Sequence, residues 1–269
     1  MTARHTVAAL GAAMMLSAGT SAAADGILIA QKMTSASGTV TTHQIEIEKT
    51  RMRAESEAAG RKMTMIFDGT AQVMRTVDDA AKSYTEMSKA DMEKMSAQMS
   101  GAMAQMQESM KNMPPETRKK MEAAMQGRGG LGVPATPTEY KKVGTDKVGK
   151  WTCDKYEGTR GGEKVSELCT VPPATLGFTA GDFDVTRQMA EFFSKLVPQG
   201  GDQLFRIGSP AANGFSGLPV RTVIFRNGAP SFTSEITDAR RQNFPDSIFA
   251  VPAGYTKRDM MGARGRGRQ

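Results

Sequence analysis

The chain has 269 residues, 39% of them hydrophobic and 23% charged, with a formal net charge of +7. That composition suits a globular protein with a buried core, in one large domain or two small ones. No apolar run reaches the roughly 20 residues that a membrane helix needs, which excludes a helical membrane protein. Aromatic residues make up only 6%, whereas methionines number 21, so methionine fills volume that Leu and Phe usually fill.

The first residues give an address. Arg4 and His5 form a short basic start, Val7 to Ala18 is apolar, and Ala22-Ala23-Ala24 precedes Asp25. This is the pattern of a secretory signal peptide over 1–24, with an Ala-x-Ala cleavage site. No cysteine follows that site, which argues against a lipid anchor. The expectation is a soluble exported protein, periplasmic in a Gram-negative cell.

From Ile27 to Met87 the pattern is a β-meander. ILIAQKMTS, TVTTHQIEIEK, RMRAESE, RKMTMIFD, AQVMRTVD and KSYTEM are separated by Ser37-Gly38, Ala59-Gly60, Asp68-Gly69 and Asp78-Asp79. Several strands alternate polar and apolar residues, as in Lys62 to Phe67, so one face is dry and the other wet or ligand-facing.

Residues 88–130 break the pattern. Met92, Met95, Met99, Met103, Met106, Met110 and Met113 recur in steps of three and four, the period of one helical face. Ser88 and Asp91 resemble a capping box. The helix is expected to run for about 25 residues, ~37 Å, as far as Pro114-Pro115. A second helix is expected through Glu116 to Met125, stopped by Gly127, Gly129 and Gly130.

TEYKKVG, GKWTCDKYEGT and EKVSELCTV read as strands after a short linker. Cys153 and Cys169, the only cysteines, are equidistant from Gly161. A hairpin turning there sets them opposite each other and faces Lys155 with Glu167. An oxidising compartment joins such a pair, and a loop of about 15 residues is worth roughly 3 kcal/mol in the chain-entropy model. Asp182 or Asp184 caps a further amphipathic helix ending near Pro198, with Val185, Met189, Phe192 and Leu196 on one face. LPVRTVIFR and APSFTSEIT flank Asn227-Gly228, a type I′ hairpin signal. The tail at 260–269 is basic and without core pattern, so it is expected to be disordered.

A signal peptide, a meander ending in KSYTEM, a helical segment with MPPETRKKME, a WTCDKYEG…SELCTV hairpin, GLPVR and a terminal IFAVPAGY follow one another. That order resembles an uncharacterised group of exported bacterial proteins, a domain-of-unknown-function family related to the LolA/LolB-like lipoprotein carriers. The resemblance covers about Ile27 to Lys257. It implies an α+β fold: a curved antiparallel sheet, or half β-barrel, whose concave face is covered by helices. The Met-rich insertion at 88–130 then belongs to a single domain over 25–259. In the carriers the cavity holds acyl chains.

The methionine stripe has three readings. Thioethers are flexible and polarizable and pack irregular gaps. The same property suits an adaptable site for acyl chains or a lipidated protein, for which the candidates are the seven stripe methionines with Met189, Phe192 and Leu196. Clustered thioethers at Met92, Met95, Met99 and Met103 also match copper(I), although the mature chain holds one histidine, His43, far away in sequence. No metal or cofactor is otherwise indicated: zinc spacing is absent, and Gly127 to Gly132 lacks the strand and helix of a phosphate loop. A Ser-His-Asp site would need His43, which has no nucleophile motif beside it, so a non-enzymatic protein is expected.

The basic residues Lys257, Arg258, Arg264, Arg266 and Arg268 favour an anionic partner. After export that is an anionic membrane surface rather than nucleic acid, unless the tail is merely solvated. An exported binding protein for an apolar ligand, a copper(I)-handling protein and an envelope-assembly protein are the functions in play.

Overall fold

The computed structural model describes residues 25–58, 60–111, 113–114, 116–117, 137–194 and 214–259. The expected signal peptide, most of the second helix, Leu196 and the basic tail at 260–269 lie outside the described residues. The N-terminal meander is β1 (Gly26–Ser35), β2 (Val40–Ile47), β3 (Arg51–Ala58), β4 (Arg61–Asp68), β5 (Val73–Asp78) and β6 (Ser83–Ser88). Helix α1 (Lys89–Lys111) follows, and then β7 (Glu139–Val148), β8 (Trp151–Arg160) and β9 (Glu163–Val171). Helix α2 (Asp184–Ser194), β10 (Leu218–Arg226), β11 (Ala229–Gln242) and a two-residue β12 (Thr256–Lys257) complete the order. Among the described residues, no helix is long and apolar enough to cross a membrane.

All twelve strands form one sheet in the order β12-β6-β5-β4-β3-β2-β1-β11-β10-β9-β8-β7. The first long strand pairs with the last long one, β1 with β11, and so joins two meanders. Every pairing is antiparallel except β12 on β6. β7 and β12 sit at opposite ends of the order and do not pair, so the sheet is unclosed. Laid flat, twelve strands would span about 50 Å. Yet Phe67 of β4 and Met87 of β6 share one buried cluster with Val148 of β7 and with Trp151 and Cys153 of β8. Residues from opposite ends of the strand order meet there only because the sheet curls.

The inside of that curl is filled by the segment after β9. Leu176 and Phe183 come from short 3-10 turns, Phe178 from the link between them, and Val185, Met189 and Phe192 from α2; all are buried. Phe178 and Phe183 meet edge to face at 6.0 Å. The start of α2 is pinned by Asp182. Its carboxylate accepts from the Thr179 backbone N–H at 2.6 Å and pairs with Arg241 of β11 at 2.6 Å. Burial alone would raise this carboxyl, but the Thr179 and Arg241 bonds outweigh it and hold the pKa below its ordinary value.

The outer face has a smaller cluster. Ile66 of β4 and Val77 of β5 are buried beneath Phe249, with Phe244, Ile248, Val251 and Tyr255 packed around them. The chain after β11 thus straps across the back of the sheet. Tyr255 donates to Asp79 at 3.0 Å, and Lys257 pairs with Glu86 at 2.7 Å.

Helix α1 begins as its sequence predicts. The Ser88 N–H donates to Asp91 Oδ2 at 2.9 Å, and the Asp91 N–H donates to Ser88 Oγ at 3.2 Å, the reciprocal pair of a capping box. Asn227 and Gly228, at φ 52° and 74°, make the expected type I′ turn. The β8–β9 hairpin differs from expectation by two residues of register. Its turn is centred between Gly161 and Gly162, with Arg160 opposite Glu163, and this shifts the register by one. Val165 is bulged out of the ladder, which shifts it by one more. Lys155 therefore lies opposite Cys169. The Cys153–Cys169 disulfide, at Cα–Cα 5.4 Å, and the Lys155–Glu167 ion pair, at 3.0 Å, both form across diagonals.

Two outcomes follow. Replacing both cysteines by alanine is expected to lower unfolding free energy by about 3 kcal/mol, read as a lower urea midpoint, with a somewhat larger m-value because the unfolded chain is no longer cross-linked. Asp182, whose folded pKa is depressed, contributes stability above its unfolded value that is lost as pH falls through the folded one. Asp182→Asn is expected to lower the thermal midpoint at neutral pH and to flatten its fall between about pH 5 and pH 3, measured by circular dichroism.

Candidate functional site

Strand register sorts the side chains of β1 to β6 onto two faces. The first inner row is Ile27, Ile47, Met52, Phe67, Met74 and Met87. It is buried, with Met74 partly so, and α2 covers it, the Phe192 ring lying 5.5 Å from that of Phe67. The second inner row is Ile29, Ile45, Ala54, Met65, Thr76 and Thr85; Ile29 is fully buried and the others are half-buried. The third is Gln31, His43, Ser56, Met63, Asp78 and Ser83, half-buried except for the buried Ser83. The inner face thus grades from sealed core to a partly open surface, uncharged in its second row and carrying Asp78 in its third.

Charge is segregated by the same alternation. Lys32, Glu46, Arg51, Arg53, Glu55, Glu57, Lys62, Asp68, Arg75 and Glu86 all project from the outer face. On the inner face of these strands the charged residues are Arg61 and Asp78, which pair with each other at 3.6 Å at the rim. His43 adds no charge at neutral pH, because burial pushes its imidazole below its ordinary value. Across the outer face many of these charges pair with one another. Arg53 bonds both Glu46 and Glu55, Lys62 pairs with Glu55 at 2.8 Å, and Arg75 pairs with Glu86 at 2.8 Å. Burial raises the Glu46 carboxyl despite its Arg53 partner. Burial also works to raise Glu55, but the bonds from Lys62 and Arg53 prevail and lower it. A depression of about 430 Å³ at the hairpin end of β1–β3 is lined on this face by Lys32, Thr42, Gln44, Glu55 and Glu57 together with Ala30 and Val40, a mixed polar and apolar surface.

Six of the seven stripe methionines, Met92 to Met110, lie along one side of α1, and Met113 falls past its end. At 100° per residue the six fall within an arc of about 80°. They are not equivalent. Met92 is buried in the core cluster and Met95 packs partly against it. Met99, Met106, Met110 and Met113 are half-buried and belong to neither cluster. The side chain of Met103, like Leu196, lies outside the described residues. Met189 and Phe192 are buried beneath α2. Of the ten residues expected to meet an apolar ligand, Met92, Met189 and Phe192 thus serve the core, and the half-buried methionines of α1 remain as surface. The inner row of Ile45, Ala54 and Met65 escaped sequence reading. Its signal was the alternation from Lys62 to Phe67, which marks two faces without saying which one is enclosed.

Among the described residues, no three of His, Cys, Asp and Glu converge as metal ligands. Both cysteines are consumed in the disulfide, which leaves thioethers alone as donors for copper(I).

The fold has distant likenesses among solved structures. An uncharacterised conserved protein from Thermus thermophilus is similar at a TM-score of 0.46 and 7% identity, over 88% of this chain and 91% of that one. MucB in complex with MucA(peri) is similar at 0.37 and 10% identity, over 85% of this chain and 54% of that one. The Pseudomonas aeruginosa MucA/MucB complex is similar at 0.36 and 10% identity, over 85% and 56%. This chain spans just over half the length of those two. No curated protein matches it. The model of the family described as Domain of unknown function (DUF4412) matches residues 88–255, from the cap of α1 through the outer strap. That is more than half of the chain, which therefore belongs to this family.

Proposed function

We propose that the protein is an exported, non-catalytic carrier that holds an uncharged apolar chain, either a free acyl chain or the acyl chain of a lipidated protein. It is a half-barrel of the lipoprotein-carrier kind. One observation carries this reading: next to the row under α2, the inner face of β1–β6 continues as a half-buried row, Ile45, Ala54 and Met65, whose Ile45 and Met65 rest against the core cluster, with every strand charge but the Arg61–Asp78 pair turned to the other side. A charged ligand would lose its hydration there without a partner; a hydrocarbon chain gains from the burial. The half-buried methionines of α1 supply a second apolar surface that adapts to different chain shapes. The Cys153–Cys169 bond suits an oxidising compartment.

The test is titration of delipidated protein with a fluorescent fatty acid. Saturable binding is expected. Met65→Glu places a carboxylate in the uncharged row and is expected to weaken binding about tenfold or more. Ala54→Phe weakens it by volume without adding charge, and Glu57→Ala on the outer face leaves it unchanged. Absence of saturable binding, or equal effects of inner-face and outer-face substitutions, overturns the reading.

A further inference from the structure

Met99, Met106 and Met110 lie on one ridge of α1, within about 40° of arc and a little over three turns of helix. They are half-buried, outside both apolar clusters, whereas Met92 on the same side of the same helix is 1% exposed. The sheet and α2 repeat this contrast: Met52, Met87 and Met189 are buried at 5%, 8% and 2%. Among the described residues, half-buried thioethers also occur on the sheet, at Met33, Met63, Met65 and Met74, but three that lie outside both clusters share one ridge only on α1. Thioether sulfur is a soft nucleophile, and its oxidation turns a flexible apolar side chain into a polar one. With both cysteines in a disulfide, no thiol competes for an oxidant.

We propose that the Met99–Met106–Met110 ridge is a sulfoxidation site, at which a two-electron oxidant of the hypohalous acid or peroxide class makes the ridge polar and releases a bound apolar chain. The release step rests on the carrier reading above; the site itself does not. In the reaction a sulfur lone pair attacks the oxidant's terminal oxygen. With hypochlorous acid the S–O bond forms as the O–Cl bond breaks. Sulfur is oxidised by two electrons, chlorine leaves as chloride, and the hydroxyl proton passes to solvent. With hydrogen peroxide the O–O bond breaks and the second oxygen leaves as water. Two thiols reverse the change, taking the oxygen as water and closing to a disulfide.

A polar oxygen on each of three neighbouring ridge positions cannot be buried against hydrocarbon without a hydrogen-bond partner. The fold tolerates the change because these three sulfurs lie outside the core. The same oxygen on Met92 or Met189 would have to enter the sealed cluster.

The experiment adds hypochlorous acid to the full-length exported chain in sub-stoichiometric steps and locates added oxygen by peptide mass spectrometry, with far- and near-ultraviolet circular dichroism followed in parallel. Met99, Met106 and Met110 are expected to be oxidised while Met52, Met87, Met92 and Met189 stay reduced and the spectra are unchanged. Binding of the fluorescent fatty acid is expected to fall about tenfold or more and to return after treatment with a sulfoxide reductase and dithiol. The triple variant Met99→Leu, Met106→Leu, Met110→Leu keeps an apolar helix-forming ridge; whatever affinity it starts from, it is expected to lose none of it to the oxidant. Core methionines oxidised as early as the ridge, or a ridge still reduced when the fold is lost, overturn the site. Binding that survives complete ridge oxidation, or that the Leu variant loses equally to oxidant, overturns the release. A protein that binds no fatty acid before oxidation refutes the carrier reading and with it the release, while the masses still decide the site.

Discussion

Phe183, Val185 and Met189 are buried against residues from both halves of the sheet, and that burial makes one sheet of two meanders. Backbone pairing alone would let β1–β6 and β7–β11 lie as a flat ribbon joined at β1 and β11. Curling brings the two wings together only if there is something apolar to close on, and the segment from Leu176 to Phe192 supplies it. The polar bonds in this region orient the helix more than they stabilise it. Asp182 ties the start of α2 to Arg241 of β11, the strand that pairs with β1. The helix is thereby seated beside the junction that the two meanders share.

Once α2 is seated, its length determines what remains open. The helix covers the first inner row and not the third. A wider seal would have turned the inner face into ordinary core; a shorter one would have left Ile27, Ile47 and Phe67 wet. The open part carries little charge, the Arg61–Asp78 pair at its rim, because β-strand alternation sends the other charged residues outward, where many of them form ion pairs. Each such pair, half-exposed, is worth little by itself. Their collective effect is positional: a register slip of one residue in any strand would drive a row of charge into the apolar interior.

Most of the element boundaries were legible because alternation and turn chemistry are local. The capping box at Ser88 and the type I′ turn at Asn227-Gly228 are in place, and the strands are within two or three residues of expectation, save that β7 runs on to Val148 and β11 to Gln242. Strand order was not legible. The β1–β11 pairing joins residues more than two hundred positions apart, and β12 on β6 is a two-residue parallel contact held by the strap. Neither leaves a local signature. The β8–β9 register went astray for a definite reason: equidistance from Gly161 assumes an unbroken ladder, and the Val165 bulge breaks it. At the site, the three-four spacing of methionines gave the helix face correctly, but six identical residues on one face cannot say which are sealed. Met92 lies one turn from the cap, where α1 still touches β6 and α2; Met99 lies two turns further along. That difference is tertiary.

An unclosed sheet has two edges, and each offers unpaired backbone to any passing strand. The two are blunted by different means. At β6 the chain's own strap lays β12 alongside, the Thr256 N–H donating to the Lys82 carbonyl at 3.0 Å and the Arg258 N–H to the Tyr84 carbonyl at 2.8 Å. At β7 a bulge between Lys142 and Gly144 disrupts the ladder, and Lys141, Lys142 and Lys147 place positive charge along the strand. Val143, half-exposed at 51%, is the residue the bulge expels. Closing the barrel would have removed both edges without straps or lysines, but it would also have sealed the inner face. A sheet that stays open and protects each edge separately leaves its inner rows accessible from the side, the geometry on which the carrier proposed above depends.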